Sequence, residues 1–145
     1  SIQLEYLFLQ NKYSNMLENI NIPLTFILIF HAIVFTQSGL DKIFNWKDNL
    51  DFTKETLTEK FPKTLVQLAL FSVLILETLG GIFSLIGVIY SICNPDFLLF
   101  STLGLILCST ALLVLLFGQR ISQNYVDAKT ITVYFIVSVI GLILI

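Results

Sequence analysis

Four long apolar runs, separated by short polar segments, dominate the hydrophobic pattern of this sequence. They cover residues 22–44, 65–90, 97–118 and 130–145. A helix of about 20 apolar residues crosses the roughly 30 Å hydrocarbon core of a bilayer. Because lipid offers no hydrogen bonds, a chain that crosses it must pair its backbone groups internally, as a helix does. The pattern therefore predicts an all-α fold, an integral membrane four-helix bundle.

Most of the charge lies in or next to one segment, residues 45–63, between the first two runs. Trp46 and Phe61 lie near its two ends, as aromatic residues do at membrane surfaces. The charges are five acids and five lysines: Asp41, Asp48, Asp51, Glu55, Glu59, Lys42, Lys47, Lys54, Lys60 and Lys63. We expect this charged loop to lie at the interface, where it can form an amphipathic element.

Composition supports a membrane environment and limits the classes of function. The chain is 56% hydrophobic and 12% charged, whereas soluble domains carry roughly 25% charged residues. Its few, dispersed Pro and Gly residues mark no linker, so residues 1–145 are expected to form a single transmembrane domain. A net charge of −2 without a basic stripe argues against a nucleic-acid partner. Two cysteines and one histidine indicate no metal site.

The distribution of Lys and Arg indicates an orientation in the membrane. Seven of the eight basic residues lie on the side of the first and third loops, and only Lys12 lies on the other. The positive-inside rule then places both termini outside the cytoplasm. The single Arg is typical of an AT-rich genome, which favours a bacterial cytoplasmic (inner) membrane. The last run covers only roughly 24 Å, so we expect the chain to continue beyond Ile145.

Two ionisable side chains, His31 and Glu77, lie in the middle of the first two runs. A carboxylate at that depth costs at least about 2.5 kcal/mol unless it is paired or protonated. Counted from the shared loop, both residues lie roughly 20 Å deep, so their depths match. We therefore expect a His31–Glu77 hydrogen bond. The pair is either a structural bond between helices or part of a polar-headgroup site or proton relay. The remaining alternative is that the two residues face different partners.

A second polar cluster lies at the loop end of the first run and comprises Gln37, Asp41 and Lys42. A lysine at this position can extend its ammonium group to the membrane surface. Because such clusters are common where helices leave the bilayer, we expect this one to anchor the first span at the interface.

Small residues recur along one side of the second and third runs, and they allow helices to approach closely. They are Gly80, Gly81, Ser84 and Gly87 in the second run, and Ser101, Gly104, Cys108 and Ala111 in the third. Close helix packing is the first interpretation. The alternative is that Gly80 and Gly81 leave room for a flat ring beside Glu77.

Three segments resemble elements of the DoxX family of small four-span membrane proteins. Ser-Gly-Leu-Asp-Lys-Ile-Phe at 38–44 resembles its G-x-x-K element, and Leu-Glu-Thr-Leu-Gly-Gly-Ile-Phe-Ser-Leu-Ile-Gly at 76–87 resembles its glutamate-glycine element. Asn-Tyr-Val-Asp-Ala-Lys-Thr-Ile-Thr-Val-Tyr-Phe at 124–135 is similar to the aromatic-rich opening of its last span. The resemblance covers about residues 24–145. It places Gly39, Lys42 and Glu77 at the family's recurring polar positions.

The resemblance implies a membrane subunit, in some members part of a thiosulfate:quinone oxidoreductase and in others a partner in redox or assembly complexes. The first hypothesis is an accessory subunit without chemistry of its own, whose polar cluster and lysine-rich loop dock onto other membrane protein subunits. The second is a quinone-binding subunit of an oxidoreductase, the only form in which we expect enzyme activity. A small-solute transporter ranks last, since inverted repeats and broken helices are not evident.

Quinone is the one cofactor that this second hypothesis implies, held between the first two spans with His31 and Glu77 handling its protons. The small size and the lack of cofactor motifs favour the accessory hypothesis. No residue is assigned as catalytic or as a metal ligand. The candidate site residues are His31, Gln37, Gly39, Lys42, Glu77, Gly80 and Gly81.

Overall fold

The computed structural model is all-helical and describes the backbone of all 145 residues and every side chain except that of Met16. The helices are α1 (Ile2–Asn19), α2 (Ile22–Phe44), α3 (Trp46–Leu57), α4 (Lys63–Cys93), α5 (Leu99–Ile121) and α6 (Tyr125–Ile143). Four of them, α2, α4, α5 and α6, are long and apolar enough to cross a membrane. The predicted all-α bundle of apolar helices is therefore confirmed.

The helices differ from the predicted spans mainly at their loop ends. α2 has the predicted bounds, α4 is longer at both ends, and α5 ends at Ile121. The polar segment 119–129, the third loop of the sequence pattern, is largely helical. α5 continues to Ile121, and Asn124 caps the start of α6 by accepting a hydrogen bond from the Asp127 amide at 3.3 Å. Gln123, with a φ of 60°, makes the turn between α5 and α6. α6 has 19 residues and is about 29 Å long.

Part of the charged loop forms α3, a short amphipathic helix that folds back against α4. None of its residues is fully buried, as expected for an element at the interface. Trp46, at its start, packs edge-on against Phe71 of α4, with ring centroids 6.2 Å apart. α3 therefore covers one side of the first turns of α4.

The four apolar helices form a bundle in which neighbours along the chain are antiparallel. α4 packs between α2 and α5, and α6 packs against α5 and closes the bundle against α2. Two groups of buried residues fill the centre: Phe35, Cys108, Ala111 and Leu112 in one, and Leu24, Leu28 and Leu105 in the other. Asn21 links the start of α2 to the end of α6, because its side-chain amide donates a hydrogen bond to the Leu144 carbonyl at 2.8 Å.

Small residues let α4 and α5 approach each other closely. A Cβ added to Gly80 would lie 2.7 Å from Cys108 Sγ, and one added to Gly87 would lie 2.9 Å from Ser101 Oγ. From the other helix, Gly104 faces Ser84 in the same way. These contacts agree with close helix packing as the meaning of the small-residue pattern.

α1 is set apart from the bundle. Every described side chain between Ile2 and Asn19 is exposed, and α1 makes no extended contact with the other helices among the described residues. Ile20 is extended, with φ −75° and ψ 123°, and it separates α1 from α2. α1 therefore lies at the surface of the protein, next to the start of the first membrane-spanning helix.

Candidate functional site

A buried ion pair joins α2 and α4. Lys42 Nζ lies 2.7 Å from Glu77 Oε2, and the two side chains are only 11% and 2% exposed. Ser38 completes the cluster: its hydroxyl donates to Glu77 Oε2 at 3.1 Å and accepts from Lys42 Nζ at 2.9 Å. The carboxylate that the sequence left without a certain partner is thus neutralised by a lysine in the last turn of α2. Lys42 points inward, so its expected extension to the membrane surface is wrong.

Close contacts between α2 and α4 define how the two helices are aligned. Gly39 lies against Thr78, and Gly81 lies against Thr36, where an added Cβ would in each case be 2.6 Å from the threonine Oγ1. Because the two helices are antiparallel, moving one residue toward the end of α2 corresponds to moving one residue toward the start of α4. Gly39 and Gly81 are the places where the two backbones come closest, because any side chain there would occupy the space of the facing threonine.

This alignment explains why His31 and Glu77 do not pair. It places Glu77 opposite Leu40, and His31 opposite Ile86. His31 and Glu77 are thus offset by nine positions along the helices, or about 13 Å. The expected His31–Glu77 hydrogen bond was wrong because the count assumed that the end of α2 and the start of α4 lie at one level beside the loop. In the structure, about ten residues of α4 extend beyond the end of α2, and α3 packs against them.

His31 instead joins α2 to α6. Its Nδ1 lies 2.8 Å from the Ile27 carbonyl, and its Nε2 lies 2.5 Å from Ser138 Oγ. Because a carbonyl can only accept, Nδ1 carries a proton. The Ser138 hydroxyl also lies 3.1 Å from the Tyr134 carbonyl, and its single proton goes to Nε2 when the histidine ring is neutral. The ring is fully buried and stacks on Phe35, with centroids 5.4 Å apart. The arrangement matches the structural interpretation of His31, with Ser138 as its partner.

Removing the His31–Ser138 bond should weaken the attachment of α6 measurably. Hydrogen bonds between membrane helices contribute about 0.6 kcal/mol on average and up to about 1.7. We expect a coupling free energy of about 1 kcal/mol in a double-mutant cycle of His31→Ala and Ser138→Ala, because the bond is fully buried. Unfolding of the purified protein in mixed detergent micelles measures it. Strictly additive effects of the two substitutions would show that the two side chains act independently.

Gln37 and Asp41 are both exposed and lie outside the buried ion pair. Asp41 accepts hydrogen bonds from Asn45 at 2.8 Å and from Asn49 at 3.2 Å, so it links the end of α2 to the start of α3. Gln37 lines a shallow surface groove with Leu40 and Leu85. The predicted cluster is therefore divided: Lys42 turns into the bundle, and the other two side chains stay at its surface.

The space considered for a flat ring beside Glu77 is occupied by protein. Cys108 of α5 occupies the space beside Gly80, and Thr36 of α2 occupies the space beside Gly81. On its remaining side, Glu77 is covered by Ser38 and Lys42. The candidate residues near Glu77 thus hold three helices together, and their polar atoms bind one another.

Two partners in these sites escaped the sequence analysis. Ser38 could have been found, because it lies four residues before Lys42 on a helix and therefore on the same face. Ser138 could not, because only the packing of α6 against α2 brings it to His31. Four buried polar atoms have no hydrogen-bond partner among the described residues: Thr78 Oγ1, Ser101 Oγ, Ser109 Oγ and Gln119 Oε1.

Comparison with known proteins assigns no family to the chain. No family model matches the sequence, and searches of curated proteins and of solved structures found no significant match. The DoxX resemblance therefore stays a prediction that rests on its three sequence segments.

Proposed function

We propose that this chain is an accessory or assembly subunit of a larger membrane complex, without chemistry of its own. The observation that carries the proposal is the exposed apolar face of α1, which no other part of the described chain covers. Contiguous exposed apolar surfaces of this kind mark sites of interaction with proteins or membranes.

The exposed face of α1 has the spacing of a helix that packs on another helix. Its apolar residues are four, three, four and four positions apart, which keeps them on one side of the helix. We call this face the α1 stripe; its members are between 44% and 81% exposed. They are Ile2, Tyr6, Leu9, Tyr13 and Leu17. Tyrosine is enriched at protein interfaces because it combines a large apolar ring with a hydroxyl group.

A second apolar patch on α1 is suited to contact with lipid. Leu4, Leu7 and Phe8 lie on the opposite side of the helix from the α1 stripe and occupy only its first half. α1 ends two residues before the first membrane-spanning helix begins, so it is held at the membrane surface. This patch can rest among the lipid headgroups while the stripe packs on a helix of a partner subunit.

The interior of the bundle favours the accessory role over the quinone-binding alternative. Glu77 is engaged by Lys42 and Ser38, and His31 by Ser138 and a backbone carbonyl. Groups committed to such internal bonds stabilise the bundle, and a ligand would have to displace them. The proposal places the subunit in the bacterial cytoplasmic membrane with both termini outside the cytoplasm, following the distribution of its basic residues.

Gentle extraction from native membranes, followed by mass spectrometry of everything retained, tests the proposal. We expect a larger membrane protein to co-purify in a fixed ratio. The paired change Tyr6→Glu and Tyr13→Glu should reduce its recovery at least about tenfold, because each glutamate would be buried unpaired in the interface.

The matched control changes Asn11→Glu and Asn15→Glu, on the opposite face of α1, and should leave recovery unchanged. Since α1 does not pack on the bundle, both variants should keep the helix content and thermal stability of the original protein. A protein that retains quinone and no protein partner would contradict the accessory role. Equal loss of the partner in both variants would exclude the α1 stripe as the docking surface.

A further inference from the structure

A cavity of about 310 Å³ lies beneath α3, between the start of α4 and the end of α5. It exists because α4 extends beyond the end of α2, so that only α3 covers this part of α4. Its volume is at the lower end of the range for small-molecule sites, about 300–1,000 Å³. Phe52 and Phe117 at its edge are largely exposed, which leaves a lateral opening on the side of the bundle.

The walls of the cavity are almost entirely apolar. Aliphatic side chains of α4 and α5 form two sides, among them Leu70, Val73, Val114 and Leu115. A hydrocarbon chain placed there exchanges no hydrogen bonds with the protein and gains contact with these side chains. The volume and the apolar lining therefore fit a single aliphatic tail.

One end of the cavity is polar, and it holds one carboxylate and one side-chain amide whose oxygen has no partner among the described residues. Gln119 Oε1 is buried there and has no partner among the described residues. Asp127 lines the same end, and its carboxylate accepts from Asn124 Nδ2 at 2.6 Å, which leaves its other lone pairs free. A buried acceptor without a donor is costly, so a ligand hydroxyl that donates to Gln119 Oε1 is stabilised at this end. Asp127 is the only charged side chain among the lining residues, so the lining itself offers no cation to an anionic headgroup; Lys60, close by, binds the Ile121 carbonyl.

The geometry points to a binding site for a neutral single-chain lipid with a hydroxyl headgroup, its tail in the cavity and its hydroxyl donating to Gln119. The site lies on the charged-loop side of the bundle and is separate from the Lys42–Glu77 ion pair. It does not depend on the accessory role of the subunit. A monoacylglycerol has the required combination of one acyl chain and an uncharged head that donates hydrogen bonds.

The only tryptophan in the sequence, Trp46, lies on α3 and provides a direct probe of binding. A monoacylglycerol with a brominated tail, added to the full chain in detergent, should quench Trp46 fluorescence in a saturable way. Unlabelled monoacylglycerol should displace it. The methyl ester of the same acid, which cannot donate, should compete about fivefold less well, the effect of one hydrogen bond. An alkyl phosphate of equal length should compete no better than the ester.

Two variants and one control complete the test. Gln119→Leu should weaken monoacylglycerol binding about fivefold and leave the ester unaffected. Ala69→Phe should abolish saturable quenching, since Ala69 lines the cavity, whereas Leu85→Phe on another face of α4 should not change it. Quenching that rises linearly without saturation, equal competition by ester and alcohol, or tightest competition by the phosphate would each overturn the assignment. Competition among monoacylglycerol, methyl ester and alkyl phosphate is measured on the unchanged protein, so it tests the assignment even if a variant fails to fold.

Discussion

Replacing Lys42 with methionine should lower the free energy of unfolding by about 3 kcal/mol, because it leaves the Glu77 carboxylate buried without its counter-charge. Methionine keeps the apolar length of the lysine side chain, so most of the effect reports the lost ammonium group. Ser38 would remain beside Glu77, but one neutral hydroxyl offsets only part of the cost of a buried charge. Reversible unfolding in mixed detergent micelles, followed by circular dichroism, measures the change.

A second substitution separates the value of the ion pair from the cost of breaking it. In the double variant Lys42→Met and Glu77→Met, we expect most of the lost stability to return, since replacing both charges by apolar groups is often neutral. Lys47→Met, at an exposed lysine of α3, is the matched control and should change stability by less than about 0.5 kcal/mol. If Lys42→Met is as mild as this control, the lysine lies at the membrane surface and the ion pair is absent in solution.

Gly81→Ala should destabilise the bundle by about 3 kcal/mol, the upper part of the range for an added methyl group in a packed core. The new Cβ would lie 2.7 Å from the backbone nitrogen of Thr36, as well as 2.6 Å from its hydroxyl oxygen. A hydroxyl can rotate away, but a backbone nitrogen moves only if α2 shifts as a whole. Such a shift would also disturb the Lys42–Glu77 ion pair, which lies in the same interface.

Gly118→Ala is the matched control for this prediction. The nearest atom to an added Cβ there is Leu57 Cδ1, at 3.8 Å, so the methyl group meets ordinary van der Waals contact. Because alanine is about 1 kcal/mol more favourable than glycine inside a helix, this variant should be neutral or more stable. Thermal unfolding of the two variants side by side gives the contrast. Similar destabilisation by both would show that the close contact of Gly81 with Thr36 is not the cause, and the alignment of α2 with α4 that rests on this contact would then be wrong.

Glu77 binds Lys42 and not the expected His31, and this difference depends on tertiary structure. The sequence identifies a carboxylate that needs a partner, because its surroundings along the chain are apolar. It also places Lys42 near the end of the preceding span. Choosing between Lys42 and His31 requires the alignment of α2 with α4, and an offset of a few residues changes the facing partner completely. That alignment is fixed by the contacts of Gly39 and Gly81 with threonines on the opposite helix.

Hydrophobic runs by themselves determined the number and the approximate limits of the membrane-spanning helices, because insertion into lipid depends on the length and apolarity of each segment alone. The small-residue pattern also indicated close packing, since only the size of the side chains matters there. Tertiary structure alone decided that His31 binds Ser138 and that Glu77 binds Lys42. It also created the cavity under α3, because that space depends on how far α4 extends beyond α2 and on where α3 folds back.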